Sequence, residues 1–168
     1  GLRVRKKIYA SSGENTTTYY LGDFVRVVNS TGTYDTKYIR DDKGTLLARI
    51  NPDDLTQYYY PDHLGSTRII INESGVVDVE YEYLPFGFQL TGGNSSLYTY
   101  TSHEKDFETD DIYAKARYYS PSLRQFKQPD PIIPDIYNPQ ALNRYSYTLN
   151  NPVIYKDSSG IMLSRLWM

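Results

Sequence analysis

Cysteine is absent from this 168-residue chain, which excludes disulfides, thiolate metal sites and cysteine nucleophiles together. Alanine is scarce and long Leu/Ala/Glu/Lys runs are missing, so little helix is expected. No apolar run approaches the length that crosses a membrane. The basic start Leu2-Arg3-Val4-Arg5-Lys6-Lys7 leads into polar residues 8–19, so no signal peptide is expected within the chain. A strong excess of either charge is missing too. The net charge of −2 and a pI near 5.7 disfavour nucleic acid as a partner. No cofactor or metal site is expected. Gly and Pro number 11 and 9, below low-complexity levels, so the chain should fold.

Tyrosine is what the chain has in excess, 19 residues against 5 Phe and 1 Trp. A strand surface accepts its ring while the hydroxyl finds water or a partner. Stretches rich in Tyr and β-branched residues predict strands over 2–10, 16–21, 24–28, 33–40, 46–50, 57–60, 67–71, 76–83 and 97–101. Four connections share one form: Asn29-Ser-Thr-Gly32, Asp41-Asp-Lys-Gly44, Asp62-His-Leu-Gly65 and Asn72-Glu-Ser-Gly75. Asn or Asp at the first place caps the turn's own backbone, and Gly at the fourth accepts the positive φ that returns the chain to the second strand. Tyr clusters recur at 19–20, 38, 58–60, 81–83, 98–100 and 118–119. A single hairpin is marginal, so these units must stack into a continuous antiparallel sheet, and one that coils.

The texture changes after residue 102. Residues 102–111 read as charged turn and 112–119 as one more strand. Pro at 121, 129, 131, 134, 139 and 152 prevents a ladder over 129–139. A helical turn is expected at 139–143, and short strands at 144–149 and 153–156. The whole reads as an all-β unit: a hairpin sheet over 1–101, an irregular Pro-rich segment over 102–161 and an apolar tail over 162–168. Gly1 opens on what reads as the middle of a hairpin, so a longer parent chain is expected.

An ordered series of motifs resembles one family. It comprises Tyr58-Tyr-Tyr-Pro-Asp-His-Leu-Gly-Ser-Thr-Arg68, the segment from Asn72 to Tyr81-Glu-Tyr-Leu-Pro-Phe-Gly87, and Ala116-Arg-Tyr-Tyr-Ser-Pro121. Pro129-Asp-Pro131, Asn138-Pro-Gln-Ala-Leu-Asn-Arg-Tyr-Ser-Tyr147, Asn150-Asn-Pro152 and Asp157-Ser-Ser-Gly160 complete it. Together they resemble the Rhs repeat-associated core of the Rhs/YD-repeat family, which includes toxin-complex C subunits and teneurins. The resemblance implies a spiralling sheet that closes into a hollow shell, with the core segment plugging one end. In the bacterial members the shell encloses a toxin cargo.

The resemblance also implies aspartyl self-cleavage, with Asp130 and Asp157 as the pair and the cut after Ile161. Such a pair must share one proton, one carboxylate acting as base on water and the other as acid on the scissile carbonyl. The sequence departs from the family pattern at Ser120, Arg124-Gln125, Ser158 and Ile161. The plain structural reading is that both Asp residues open turns and accept backbone hydrogen bonds. His63 reads as a structural hydrogen-bonding residue, and Ser66 has no nucleophile context. Lys115, Arg117, Arg124 and Lys127 interleave with aromatics beside the acidic run 104–111, which favours pairing and cation–π packing over a nucleic-acid patch.

Asn15, Asn29, Asn72 and Asn94 begin Asn-x-Ser/Thr acceptors in predicted turns, suggesting a secreted or cell-surface protein. Three functions follow as expectations: a shell-and-plug scaffold of a secreted toxin or delivery protein; an extracellular adhesive or self-assembling protein without cargo; and an autoprotease processing itself. The expected partners are the rest of the parent chain, neighbouring YD-repeat subunits or further copies, and the toxin cargo.

Overall fold

A computed structural model describes residues 2–11, 13–132, 137, 142–161 and, for the backbone, 163–165. Residues 139–141 of the expected helical turn at 139–143 and most of the expected tail at 162–168 lie outside the described residues.

Eight strands form one sheet in sequence order: β1 Arg5–Tyr9, β2 Asn15–Leu21, β3 Phe24–Asn29, β4 Gly32–Arg40, β5 Leu46–Ile50, β6 Thr56–Pro61, β7 Thr67–Asn72 and β8 Val77–Glu80. The neighbouring pairs from β1 to β6 are antiparallel. Three of the expected turns have one geometry. In each, the Gly N–H donates to the carbonyl of the opening residue, at Gly44 to Asp41 (3.0 Å), Gly65 to Asp62 (2.9 Å) and Gly75 to Asn72 (3.0 Å). The opening side chain accepts two further backbone N–H groups, those of Lys43 and Thr45, Leu64 and Ser66, and Ser74 and Val76. Two turns without the expected signature share its backbone bond. Asp54 donates to Asn51 (3.0 Å) with its own φ at +62°, and Gly87 donates to Leu84 (2.7 Å).

The contacts divide the chain into two units, Gly1–Tyr60 with Ile70–Asp78, and Pro61–Ile69 with Val79–Met168. The first unit buries one face of its sheet through Tyr20, Val25, Tyr38, Leu46, Ala48, Tyr59 and Ile70. Tyr19, Leu21, Ile39, Leu47 and Tyr58, their alternating neighbours, stay exposed, as the two-residue period requires. Cross-strand polar pairs add register: Arg26 holds Asp35 with two bonds of 2.7 Å, and Arg49 donates to Gln57 (2.7 Å).

The second unit holds a four-stranded sheet in the order β12-β11-β10-β9, with β9 Glu104–Asp106, β10 Asp111–Ala114, β11 Arg117–Ser120 and β12 Gln125–Phe126. A further pair joins β13 Tyr155–Asp157 to β14 Leu163–Arg165. Tyr100, Ile112, Ala114, Tyr119, Phe126 and Tyr147 form its core, with Tyr83 and Phe86 against them. Tyr119 and Tyr147 stack with ring centres 4.2 Å apart. Tyr100 and Tyr119 send their hydroxyls to the carbonyls of Pro85 and Phe86, each at 2.7 Å.

Several local expectations are corrected here. Residues 97–101 make no strand: Tyr98 forms a single bridge to Glu104, and Thr101 and Ser102 then reverse the chain at φ +50° and +62°. The stretch 102–111 contains β9, because Lys105 and Asp106 pair with Ile112 and Asp111. The expected single strand at 112–119 is a hairpin, β10 and β11, turned at Lys115 with φ +62°. Residues 144–149 contribute one bridge at Ser146, and a 3₁₀ turn over Thr148–Asn150 replaces the strand. Among the described residues no α-helix occurs.

Candidate functional site

The hairpin β10–β11 places Arg117 at the start of β11, where its side chain is 5% exposed. Four residues from three chain segments converge on that guanidinium. Nη2 stands 2.9 Å from Oδ2 of Asp130 and 3.5 Å from Oδ2 of Asp157. Nη1 donates to the carbonyl of Arg144 at 3.1 Å, and Nε donates to the carbonyl of Gly160. The guanidinium plane also lies 3.6 Å from the centre of the Phe126 ring. A planar fork with five donors can hold so many acceptors at once, which a lysine cannot.

Asp157 closes β13 and is 4% exposed at its side chain. Its Oδ1 accepts the backbone N–H groups of Ser159 (3.1 Å) and Gly160 (2.7 Å). Burial raises its pKa above the ordinary carboxylate value, while the two backbone donors and Arg117 pull it back down. Burial likewise lowers the pKa of Arg117, against the attraction of the two carboxylates. Asp130 is 14% exposed and caps Ile132 N–H at 2.9 Å. Asp130 and Arg144 exchange backbone and side-chain bonds: Asp130 N–H donates to Arg144 O (2.8 Å), and Arg144 Nε to Asp130 O (2.7 Å). Gly160, at φ +74°, fits against the carbonyl of Ala114 so closely that a Cβ would overlap it.

His103 is the second anchor. It is buried, and its Nε2 lies 2.7 Å from the carbonyl oxygen of Asp157. Burial lowers its pKa to about 4, with Lys115 and Lys156 adding repulsion.

The two Asp residues named from the sequence therefore meet on one guanidinium and also open the turns expected of them. The sequence gives Asp157 its motif but hides its counter-ion, since Arg117 lies 40 positions upstream and reads as one of four interleaved cations. Three of those cations are engaged as packing predicts: Arg117 as above, Arg124 with its guanidinium 5.6 Å from the Phe86 ring centre, and Lys127 on Asp111 at 2.5 Å. Ile161 is exposed, and its N–H donates to Ser159 Oγ at 3.3 Å. Met162, the far side of the expected cut, lies outside the described residues. His63 bonds the carbonyl of Val153 at 3.1 Å rather than a group of its own hairpin. Ser66 is buried and accepts the N–H of Thr101 at 3.0 Å. Asn15 and Asn94 are exposed. Asn29 and Asn72 are half-buried, their side-chain oxygens accepting the N–H groups of Thr31 and Gly32, and of Ser74 and Val76. Asn15 begins β2 rather than lying in a turn, paired with Tyr9.

Tyr-rich hairpins paired in sequence order into one sheet, together with a unit that one buried arginine ties together, define a hairpin-repeat protein. The family model "Teneurin YD-shell" matches residues 23–153, and the chain belongs to that family. Salivary gland surface protein 1 of Aedes aegypti is 32% identical over 158 residues, covering 73% of this chain and 4% of that protein. The tRNA3(Ser)-specific nuclease WapA of Bacillus spizizenii is 30% identical over 169 residues, covering 95% of this chain and 7% of that protein. The fold superposes on the Photorhabdus luminescens Tc holotoxin pore with a TM-score of 0.80 at 21% identity, covering 100% of this chain and 9% of that one. The chain is thus a structural shell segment, spanning less than a tenth of each of these proteins.

Proposed function

We propose that the chain forms wall and end plug of the shell of a secreted delivery protein, residues 1–101 giving wall and 102–161 the plug, with a polypeptide cargo inside. The observation that carries this reading is the Arg117 lock, which gathers residues 130, 144, 157 and 160 onto one buried cation as a plug requires. The names of two similar proteins, a nuclease and a toxin pore, support a toxic cargo. The test is protease protection of the parent polypeptide. Cargo sequences should survive digestion in the intact protein and become cleavable when Arg117→Met loosens the plug; cargo digested equally in both would overturn the reading.

Self-cleavage after Ile161 is a second reading, favoured by one observation: Asp130 and Asp157 both touch Arg117 Nη2. In such a pair one carboxyl acts as base on water and the other as acid on the scissile carbonyl, sharing one proton between them. Intact mass of the parent polypeptide tests it. A cut at Ile161 abolished by both Asp130→Asn and Asp157→Asn supports it, and an uncut wild type discards it.

A cell-surface role without cargo is favoured by the name of the Aedes aegypti protein and by the exposed acceptors Asn15 and Asn94. Enzymatic deglycosylation of the secreted protein, read by mass, separates it from the delivery reading. Among the described residues no helix is long and apolar enough to cross a membrane, which leaves β-barrels untouched.

A further inference from the structure

We propose that a single water molecule binds inside the second unit, between two left-handed turns, held by the hydroxyls of Tyr147 and Thr101. The two turns are built alike. Tyr100 leads into Thr101 and Ser102 at φ +50° and +62°, and Tyr147 leads into Thr148, Leu149 and Asn150 at φ +50°, +49° and +59°. Each turn closes on its leading tyrosine: His103 N–H donates to Tyr100 O (3.1 Å), and Asn150 N–H donates to Tyr147 O (2.9 Å). All five left-handed residues carry a Cβ. That conformation costs energy and persists only where the surroundings hold it.

The surroundings are packed tightly. Tyr147 is 2% exposed and Thr101 is 5% exposed. The rings of Tyr119 and Phe126 lie on Tyr147 with centres at 4.2 and 5.7 Å. Thr101 is fixed through its backbone, whose N–H donates to Ser66 Oγ. His103, at the end of the same turn, holds the Asp157 carbonyl.

The Tyr147 hydroxyl lies among the hydroxyls of Thr101 and Tyr100 and the backbone of Asp157. Tyr100 already donates to Pro85 O at 2.7 Å. Among the described residues, neither the Tyr147 nor the Thr101 hydroxyl has a hydrogen-bond partner. Leaving a buried hydroxyl unbonded is unfavourable, and native interiors answer such groups with ordered solvent. A hydroxyl both donates and accepts, so two of them with a backbone group beside them supply the two to four bonds that an internal water needs. The water would tie the turn that ends at His103 to the turn that follows Tyr147.

The experiment is hydrogen-exchange mass spectrometry of the full parent polypeptide, comparing the wild type with Tyr147→Phe and Thr101→Val. Each change keeps the side-chain shape and takes one partner from the water. Amides in both turns, 99–103 and 147–151, should then exchange roughly tenfold faster in either variant, the loss expected of about one hydrogen bond. Loosening of the turn far from the substitution is the effect that an unbridged hydroxyl would not produce. Unchanged exchange in β2 to β4 checks that the fold persists. A structure of the wild-type polypeptide at a resolution that shows ordered solvent should place one peak within hydrogen-bond distance of both oxygens. Exchange unchanged or slowed in both variants, or no peak between the two oxygens, overturns the proposal.

Discussion

Arg117 stands on Asp157 across 40 residues of chain, with Nη2 at 3.5 Å from Oδ2 and both side chains 5% exposed or less. Removing the guanidinium leaves the buried Asp157 carboxylate, with Asp130 beside it, without its counter-ion. Arg117→Met should therefore cost about 3 kcal/mol or more of unfolding free energy, read as a lowered urea midpoint. The same change made with Asp157→Asn should cost less than the sum of the single changes, since no unpaired charge remains at that carboxylate.

Glycines that look alike in sequence should respond differently to a methyl group. Gly160→Ala meets the Ala114 carbonyl, and Gly87→Ala meets the Tyr100 ring at 2.5 Å. Gly44→Ala and Gly75→Ala find nothing within 4 Å. All four have positive φ, so each pays roughly 1 kcal/mol of backbone strain, while the first two add overlap and should lose several times that. Thermal melts of the four variants give the comparison, and equal losses would contradict it.

Acid should destabilise the second unit through His103. Its pKa falls from the ordinary 6.5 to about 4 in the folded chain, so between those values the unfolded chain binds more protons and stability drops as pH falls. The loss begins below pH 6.5 and is complete near pH 4, amounting to about 3 kcal/mol. Asp157, raised above its ordinary value, acts in the opposite direction at the lower end of that window. His103→Gln can keep a bond to the Asp157 carbonyl without titrating, so its pH dependence should flatten. A wild type with constant stability between pH 4 and 7 would contradict this.

Buried tyrosine hydroxyls divide into those with and without a partner. Tyr119→Phe and Tyr100→Phe strand the carbonyls of Phe86 and Pro85 and should each cost about 1 kcal/mol. Among the described residues the buried hydroxyl of Tyr83 has no partner, so Tyr83→Phe should be neutral or stabilising. Denaturant titration of the three variants separates them.

The sheet was legible because its rules are local. Alternation places Tyr20, Tyr38 and Tyr59 inward, and Asn or Asp followed by Gly marks the turns at 29–32, 41–44, 62–65 and 72–75. Legibility fell where residues other than glycine take positive φ, at Thr101, Lys115, Thr148 and Leu149, because nothing in their side chains announces a reversal. Strands of two to four residues, such as Gln125–Phe126, are also too short to carry a period. At the candidate site the motif aspartates could be found in sequence. Arg117 and His103 could not, because their partners at 130, 144, 157 and 160 are brought to them only by folding.

Single-particle electron microscopy of the parent polypeptide tests the central claim most directly. The account predicts that β1 and β8 are each continued by strands from outside this segment, and that the resulting wall closes around additional density with residues 102–161 at one end. A parent protein in which this segment stands apart, with both sheet edges unpaired and no enclosed volume, would contradict it.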